Sequence, residues 1–405
     1  MAKIKKFNLN LLENIGAEVI SAEQLHEILS EAEKKQKPLN IKLGMDPTSP
    51  DLHLGHYVVL KIVNEFLESG HNINIIIGDF TAKIGDPSGR NIARPVLTDK
   101  DIKINVKTYI QQLSKALDVK KITVFYNSKW FSKMKLNDIL KLAGMFSLNR
   151  ILDREDFKNR LNNQLEVRAH EILYPMMQAY DSVVLESDVE IGGIDQKLNI
   201  LAGRQLQEAS KLKPQVAILA PLLIGLDGHK KMSKSMGNYI GLNDKPEDMY
   251  GKVMSLKDDL MTNYFKLVLG YSDDEVYTIE KKIQDGENPM VFKKQLAYEI
   301  VETFYSKKEA DLAGGSFTKV FSNREVPTEM PEVVMAESFA PLFEIIRSGI
   351  PTEEMTSSEI KRLIMQNSIK INDKAISDPY HKIKLTPEGV VIKIGKRRWL
   401  KVIGK

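Results

Sequence analysis

The chain has 405 residues, 42% of them hydrophobic and 28% charged, with no cysteine and a formal net charge of +4. That length exceeds what one ordinary core fills, so two or three domains are expected. The missing cysteines exclude disulfides, thiolate chemistry and a cysteine-ligated zinc site, and no apolar run reaches the roughly eighteen residues of a membrane-spanning helix. The opening "MAKIKKFNLN" is basic, but polar and acidic residues soon interrupt the stretch after it, and its lysines come without arginine. Neither a secretory nor a transit peptide is read there, and a cytoplasmic protein is expected. The charge is uneven: residues 345–405 carry 13 Lys+Arg against 6 Asp+Glu, so the remainder is slightly acidic. A basic appendage on a near-neutral body suits a polyanionic partner, though a tail charged for solubility gives the same count.

Taken along the chain, "LNIKLGM" (39–45), "INIIIGD" (73–79), "KITVFY" (121–126) and "QVAILAPLLIG" (215–225) have the length and β-branched content of buried strands. "GHYVVLKIVNEFLESG" (55–70) and "DQKLNILAGRQLQEAS" (195–210) carry apolar residues at helical spacing. Strand–helix alternation predicts an α/β fold with a parallel sheet wrapped by helices and ligands at the carboxyl ends of the strands. The spacing predicts a catalytic α/β domain over 1–240, including a connective insertion near 100–155, and a helical domain over 241–325. A linker is expected over 326–340, and a small basic α+β domain fills 341–405. No repeat or low-complexity tract is evident.

Four stretches gather groups suited to chemistry. In "GMDPTSPDLHLGH" (44–56) a strand ends, a proline-rich turn comes next, and His53 and His56 fall at a helix start. Free N–H groups and the helix dipole favour an anion there, and Gly55 lets a flat ring lie against the backbone. Two histidines three apart also suit a metal, although no third ligand is near in sequence. The turn "GDFTAKIGDPSGRNIAR" (78–94) places Arg90 and Arg94 four apart, a pattern that ordinary turns also show. In "YPMMQAYD" a helix aligns Tyr174, Gln178 and Asp181 on one face. Such polar groups are expensive unless something hydrogen-bonds to them, so a buried polar ligand or a solvent-facing stripe is expected. Pro175 removes one helical N–H. "VEIGGIDQKLN" (189–199) sets Asp195 beside a double glycine, a common way to hold a ribose hydroxyl.

"HKKMSKSMGN" concentrates three lysines beside glycines. A solvated surface loop is one reading; a mobile loop that closes on a polyphosphate is the other. "HLGH" and "KMSKS" together resemble the two signatures of class I aminoacyl-tRNA synthetases. "GGIDQKLN", "QAYD" and "IGDPSGR" narrow the resemblance to the tyrosyl-tRNA synthetase family. "SSEIKRLIMQNSIKINDKAISD" is similar to the S4-type RNA-binding domain of its bacterial members. The resemblance spans nearly the whole chain.

What the resemblance implies is a Rossmann-like catalytic domain that joins L-tyrosine to tRNA(Tyr) with ATP and Mg²⁺, in a homodimer. Lys231, Lys234 and Ser235 would belong to the loop that stabilises departing pyrophosphate, with His53 and His56 opposite and Arg90 and Arg94 on a phosphate-side loop. Tyr174, Gln178 and Asp86 would hold the substrate ammonium, Asp181 would accept the phenol hydroxyl, and Asn127 and Gln196 fall at neighbouring pocket positions. Gly193 and Asp195 would meet the ribose, with Gly44, Asp46, Thr48 and Gly55 around ATP. One departure stands out. Where some members carry a tyrosine that touches the phenol, "KLGMDPT" has Lys42, so either another group is the second partner or Lys42 itself takes part. The remaining alternatives are a tryptophanyl-tRNA synthetase, another nucleotidyltransferase of the superfamily, and a synthetase-like protein that only binds structured RNA.

Overall fold

A computed structural model describes residues 3–48, 50–87, 98–319, 330–351, 355–371, 374–395 and 398–404. The chain divides into two compact units, Met1–Ala310 and Asp311–Lys405. Among the described residues no helix is long and apolar enough to cross a membrane.

The first unit is built on a six-stranded sheet. Its strands are β1 (Glu18–Ile20), β2 (Asn40–Met45), β3 (Asn72–Ile77), β4 (Ile122–Tyr126), β5 (Val189–Gly193) and β6 (Val216–Ala220), in the order β1-β6-β5-β2-β3-β4. Strands β2 to β6 run parallel, and β1 closes one edge antiparallel to β6. Strand β6 is buried along its whole length, as expected of a sheet covered on both faces. The expected strand over 215–225 stops at Ala220 because Pro221 comes next and has no N–H for the ladder. The three-residue β1 is too short to carry an alternation signal. From β2 the chain moves outward to β3 and β4, then returns to β5 on the other side of β2. That reversal opens a crevice at the carboxyl ends of β2 and β5, where ligands bind in sheets of this kind.

Three helices frame the crevice. Leu54–Glu68 buries Leu54, Val58, Ile62, Val63 and Phe66 against the sheet. Ala169–Val184 runs on through Pro175 and packs along Lys197–Ala209. The helix expected to open at Asp195 begins as a 3-10 turn, Ile194–Gln196, and becomes α-helical at Lys197. The connective region adds the helices Leu136–Ala143, Leu148–Leu152 and Glu155–Asn162. They pack through Leu142, Ile151 and Phe157 onto Met176 and Ala179, with Arg160 paired to Glu171 beneath them.

The helices Pro246–Met254 and Pro289–Phe304 belong to the same compact unit as the sheet, not to one of their own as the expected boundary at 240 implied. Direct bonds explain why: Leu242 N donates to Leu52 O at 2.9 Å, Lys61 Nζ to Val268 O at 2.9 Å, and the Tyr264 hydroxyl to Ile224 O at 2.6 Å.

The second unit contains β7 (Glu332–Met335), β8 (Phe339–Pro341), β9 (Ile369–Ile371), β10 (Lys374–Ala375), β11 (Lys382–Lys384), β12 (Val390–Ile394) and β13 (Arg398–Gly404). A five-stranded sheet has the order β10-β9-β12-β13-β7, and β8 pairs with β11. The helices Leu342–Gly349 and Ser357–Met365 enclose a core that includes Ile345, Ile346, Ile360, Ile364, Ile392 and Leu400. Of the linker expected over 326–340, residues 326–329 lie outside the described residues, and the rest is not irregular throughout. Glu332–Met335 is a strand parallel to β13, in register with Lys401–Gly404. Four residues show no periodicity by themselves, and their partner strand lies at the far end of the chain.

Candidate active site

His53 caps the helix Leu54–Glu68, and its ring lies 3.9 Å, centroid to centroid, from that of His56. The His53 backbone N–H donates to His56 Nδ1 at 3.2 Å, which leaves the proton of a neutral His56 on Nε2. Burial, reinforced by Lys234 and Lys231, pushes His56 down to about 4. Burial also holds His53 well below the usual histidine range, with His56, Lys234 and Lys231 adding to it. Both rings are therefore neutral donors at pH 7, and His53 Nδ1 is buried without a hydrogen-bond partner. A Cβ at Gly55 would sit 3.0 Å from that nitrogen. The absent side chain keeps the ring flat against the helix start.

The lysine loop returns across this pair. Lys231 Nζ lies 2.6 Å from Asp195 Oδ2, and Lys234 Nζ lies 3.0 Å from Asp51 Oδ2. Desolvation lowers the pKa of Lys234 against the pull of Asp51 and Asp244. Lys234 Nζ lies 5.7 Å and Lys252 Nζ 5.1 Å from the centroid of the Tyr239 ring. Buried Asn238 holds the base of the loop: it accepts from Ser233 N at 2.8 Å and donates to Asp227 Oδ2 at 3.0 Å and Lys231 O at 3.2 Å. Gly225 permits this, since a Cβ there would overlap the Asn238 side chain. Ser235 is exposed and shares a 2.8 Å hydrogen bond with Ser233.

Deeper in the crevice, Asp46 just past the end of β2 accepts from the Tyr174 hydroxyl at 2.9 Å and from Thr81 Oγ1 at 2.8 Å. The Gln196 amide donates to Asp86 Oδ2 at 2.6 Å. Asp181 is only 4% exposed; it accepts from Trp130 Nε1 at 2.8 Å and from Asn127 Nδ2 at 3.4 Å. Burial pushes its carboxyl up to about 7, against Lys42, Trp130 and Asn127. Asn127 is itself fixed, accepting from Phe80 N at 3.0 Å and donating to Thr81 Oγ1 at 3.1 Å. Gln178 turns its amide onto Glu190 Oε1 at 3.1 Å.

Lys42 is fully buried, with Nζ 2.9 Å from Glu190 Oε1, 2.9 Å from Gln178 O and 2.7 Å from Ser182 Oγ. Its three N–H groups are all taken, and Trp130 is the closer hydrogen-bond partner of Asp181. A Cβ on Gly193 would fall 2.6 Å from Asp195 Oδ1. One on Gly44 would meet nothing within 4 Å, so that face of β2 is open. Thr48 caps the turn after β2 through its N–H to Asp46 O, 2.8 Å. Arg90 and Arg94 lie outside the described residues.

Sequence reasoning passed over Asp51, Glu190 and Trp130. Glu190 had a signal, a carboxylate inside the apolar strand "VEIGG"; Asp51 and Trp130 had only their proximity to "HLGH" and Asn127. Among the described residues no group of three His, Asp or Glu side chains is placed to hold a metal ion, so the metal reading of His53 and His56 gains no third ligand.

The family described as class I tRNA synthetases (W and Y) matches residues 34–322. A tyrosine–tRNA ligase of Chlorobaculum tepidum is 42% identical over 399 residues, covering 98% of this chain and 97% of the relative. The chain belongs to the tyrosyl-tRNA synthetase family. A tyrosine–tRNA ligase of Carboxydothermus hydrogenoformans, 41% identical over 404 residues and covering 98% of both chains, is similarly related. Among solved structures, a C-terminally truncated mitochondrial tyrosyl-tRNA synthetase of Aspergillus nidulans superposes with a TM-score of 0.63 at 24% identity, covering 78% of this chain and 95% of its own. The Archaeoglobus fulgidus tyrosyl-tRNA synthetase complexed with L-tyrosine gives 0.59 at 21% identity, covering 76% and 99%. At such identities these neighbours establish the fold alone, and it is the fold that the strand order describes.

Proposed function

We infer that this chain is a tyrosine–tRNA ligase: it activates L-tyrosine with ATP to tyrosyl-adenylate and pyrophosphate, then transfers the tyrosyl group to the 3′ end of tRNA(Tyr). The observation that carries this reading is the meeting of two neutral histidines and two loop lysines above a deeply buried carboxylate. In the first step a carboxylate oxygen of tyrosine attacks the α-phosphorus, and the bond to the β-phosphate bridging oxygen breaks. The nucleophile is already ionised, so no general base is needed, and catalysis comes from alignment and from neutralising charge on the leaving group. His53 and His56 donate from the helix start, while Lys231 and Lys234 approach from the loop. Asp195 and Gly193 take the ribose. Asp86, Tyr174 and Gln178 surround the ammonium, and Asp181 accepts from the phenol.

A site that hydrogen-bonds a hydroxyl rejects the analogue without it, because the buried acceptor is left unpaired; tyrosyl-tRNA synthetase is itself the standard illustration of that rule. Mg²⁺ enters bound to the triphosphate. The basic second unit is suited to the tRNA backbone. A homodimer is supported by exposed Leu136, Leu140, Met145, Leu148, Leu161 and Leu165 in the connective region, an apolar surface that a second copy would cover. The setting is the cytoplasm.

Amino-acid-dependent ATP–pyrophosphate exchange across the twenty amino acids, without tRNA, tests the reading. Exchange with tyrosine alone is expected. Exchange with tryptophan instead would overturn the assignment of Asp181, and no exchange from folded protein would leave a structured-RNA-binding protein.

A further inference from the structure

Lys42 and Glu190 are register neighbours on the parallel strands β2 and β5. Both are essentially inaccessible, at 0% and 1% exposed. A lysine and a glutamate in the middle of a sheet are costly to bury, and apolar residues of similar size often serve stability as well. Their partners indicate what the pair does here. Lys42 Nζ binds the Gln178 carbonyl and the Ser182 hydroxyl, both on the helix Ala169–Val184. The Ser182 hydroxyl in turn donates to Glu190 Oε2 at 2.9 Å, which closes a ring of three side chains. Glu190 Oε1 receives the Gln178 amide as well as Lys42, and Gln215 completes the shell at Oε2. Gly203 lets the neighbouring helix press onto this cluster, since a Cβ there would lie 2.7 Å from the Gln215 amide nitrogen.

We propose that the buried Lys42–Glu190 pair is a positioning unit for tyrosine recognition. Lys42 anchors the helical turn that carries Gln178 and Asp181, and Glu190 aims the Gln178 amide. The proposal rests on the reading of this pocket as the tyrosine site. Neither residue touches the substrate. The groups that face Asp181 are Lys42 from β2, Glu190 from β5, and Trp130 and Asn127 from the segment after β4. Lys42 is the largest influence opposing the upward push of burial, and Glu190 acts with burial. The two members of the pair therefore affect the acceptor of the phenol in opposite directions, although both support the same helix turn.

The opposition gives the test. Tyrosine and phenylalanine binding are measured by calorimetry against pH, together with exchange kinetics, for the parent, Lys42→Met and Glu190→Gln. Lys42→Met is expected to raise the KM for tyrosine roughly ten-fold, leave the KM for ATP within about two-fold, and move the acid limb of tyrosine binding to higher pH. Glu190→Gln is expected to move that limb to lower pH. Phenylalanine, without a hydroxyl, should show no such limb in any variant. Loss of one member of a buried pair threatens folding, so the double variant Lys42→Met/Glu190→Gln, which leaves neither charge unpaired, serves as the second arm. It is expected to fold and to keep the upward shift, because Lys42 outweighs Glu190 at Asp181. Limbs that stay in place or move together in folded variants, with the parent KM for tyrosine, overturn the proposal. A parent enzyme without tyrosine-dependent exchange removes the pocket reading itself, which is a distinct result.

Discussion

Replacing Asp181 by asparagine separates the recognition role proposed for this carboxylate from what it costs the fold. Its carboxyl titrates at about 7 in the folded protein against 3.8 unperturbed, because burial penalises the charged form. A raised carboxyl pKa means that the native state holds a proton which the unfolded chain has already lost between those values. Stability contributed by the protonated form is therefore present below the unfolded pKa and lost as pH rises towards 7. At ~1.36 kcal/mol per unit, the difference between about pH 5 and about pH 8 is ~2.7 kcal/mol. Asparagine does not titrate and still offers Trp130 an acceptor; any mismatch with the Asn127 amide is a constant offset that cancels in the comparison. Urea unfolding of ligand-free Asp181→Asn and parent, both in a Trp399→Phe background so that Trp130 alone reports, should show the variant gaining by about that amount on the parent from the lower to the higher pH. Tyrosine activation should fall in the same variant. Parallel stability–pH curves for the two proteins would refute the reasoning.

Other expectations rest on the same geometry. Because burial holds His56 at about 4, its imidazole stays neutral, and the activation rate should show no histidine limb from about pH 6 to about pH 9. His56→Ala should slow adenylate formation about a hundred-fold or more in rapid-quench measurements, the usual loss for one preorganised donor. Lys231 is paired with Asp195 before the nucleotide arrives, so Lys231→Ala should lower kcat without raising the KM for ATP; a raised KM would show that the lysine binds ground-state nucleotide. Lys234→Ala should likewise lower the activation rate more than ATP affinity, and equal turnover would remove its role. Changing the exposed Lys370, Lys374, Lys382 and Lys384 to glutamine should weaken tRNA binding and flatten its salt dependence by up to ~3 in log–log slope, leaving pyrophosphate exchange unchanged.

Much of the candidate site is local in the sequence. His53, Gly55 and His56 share one helix start, Lys231 and Lys234 share one loop, and Tyr174, Gln178 and Asp181 share one helical face, so short-range spacing places each group. The buried strands are equally legible because β-branched runs bounded by turns have few other uses. What escaped is what depends on partners distant in the chain. Strand β7 forms only because β13 offers it an edge. Trp130 matters only because the helix Ala169–Val184 brings Asp181 to its indole nitrogen.

Lys42 shows where sequence stops and folding begins. The amino-acid order established that a lysine stands within a buried strand, and left open whether it reaches the substrate. Tertiary structure decided what the lysine is bonded to, because the return of the chain to lay β5 beside β2 sets Glu190 opposite it and the crossing helix supplies Gln178 O and Ser182. An ammonium has three hydrogens, and the fold engages all three before any ligand arrives.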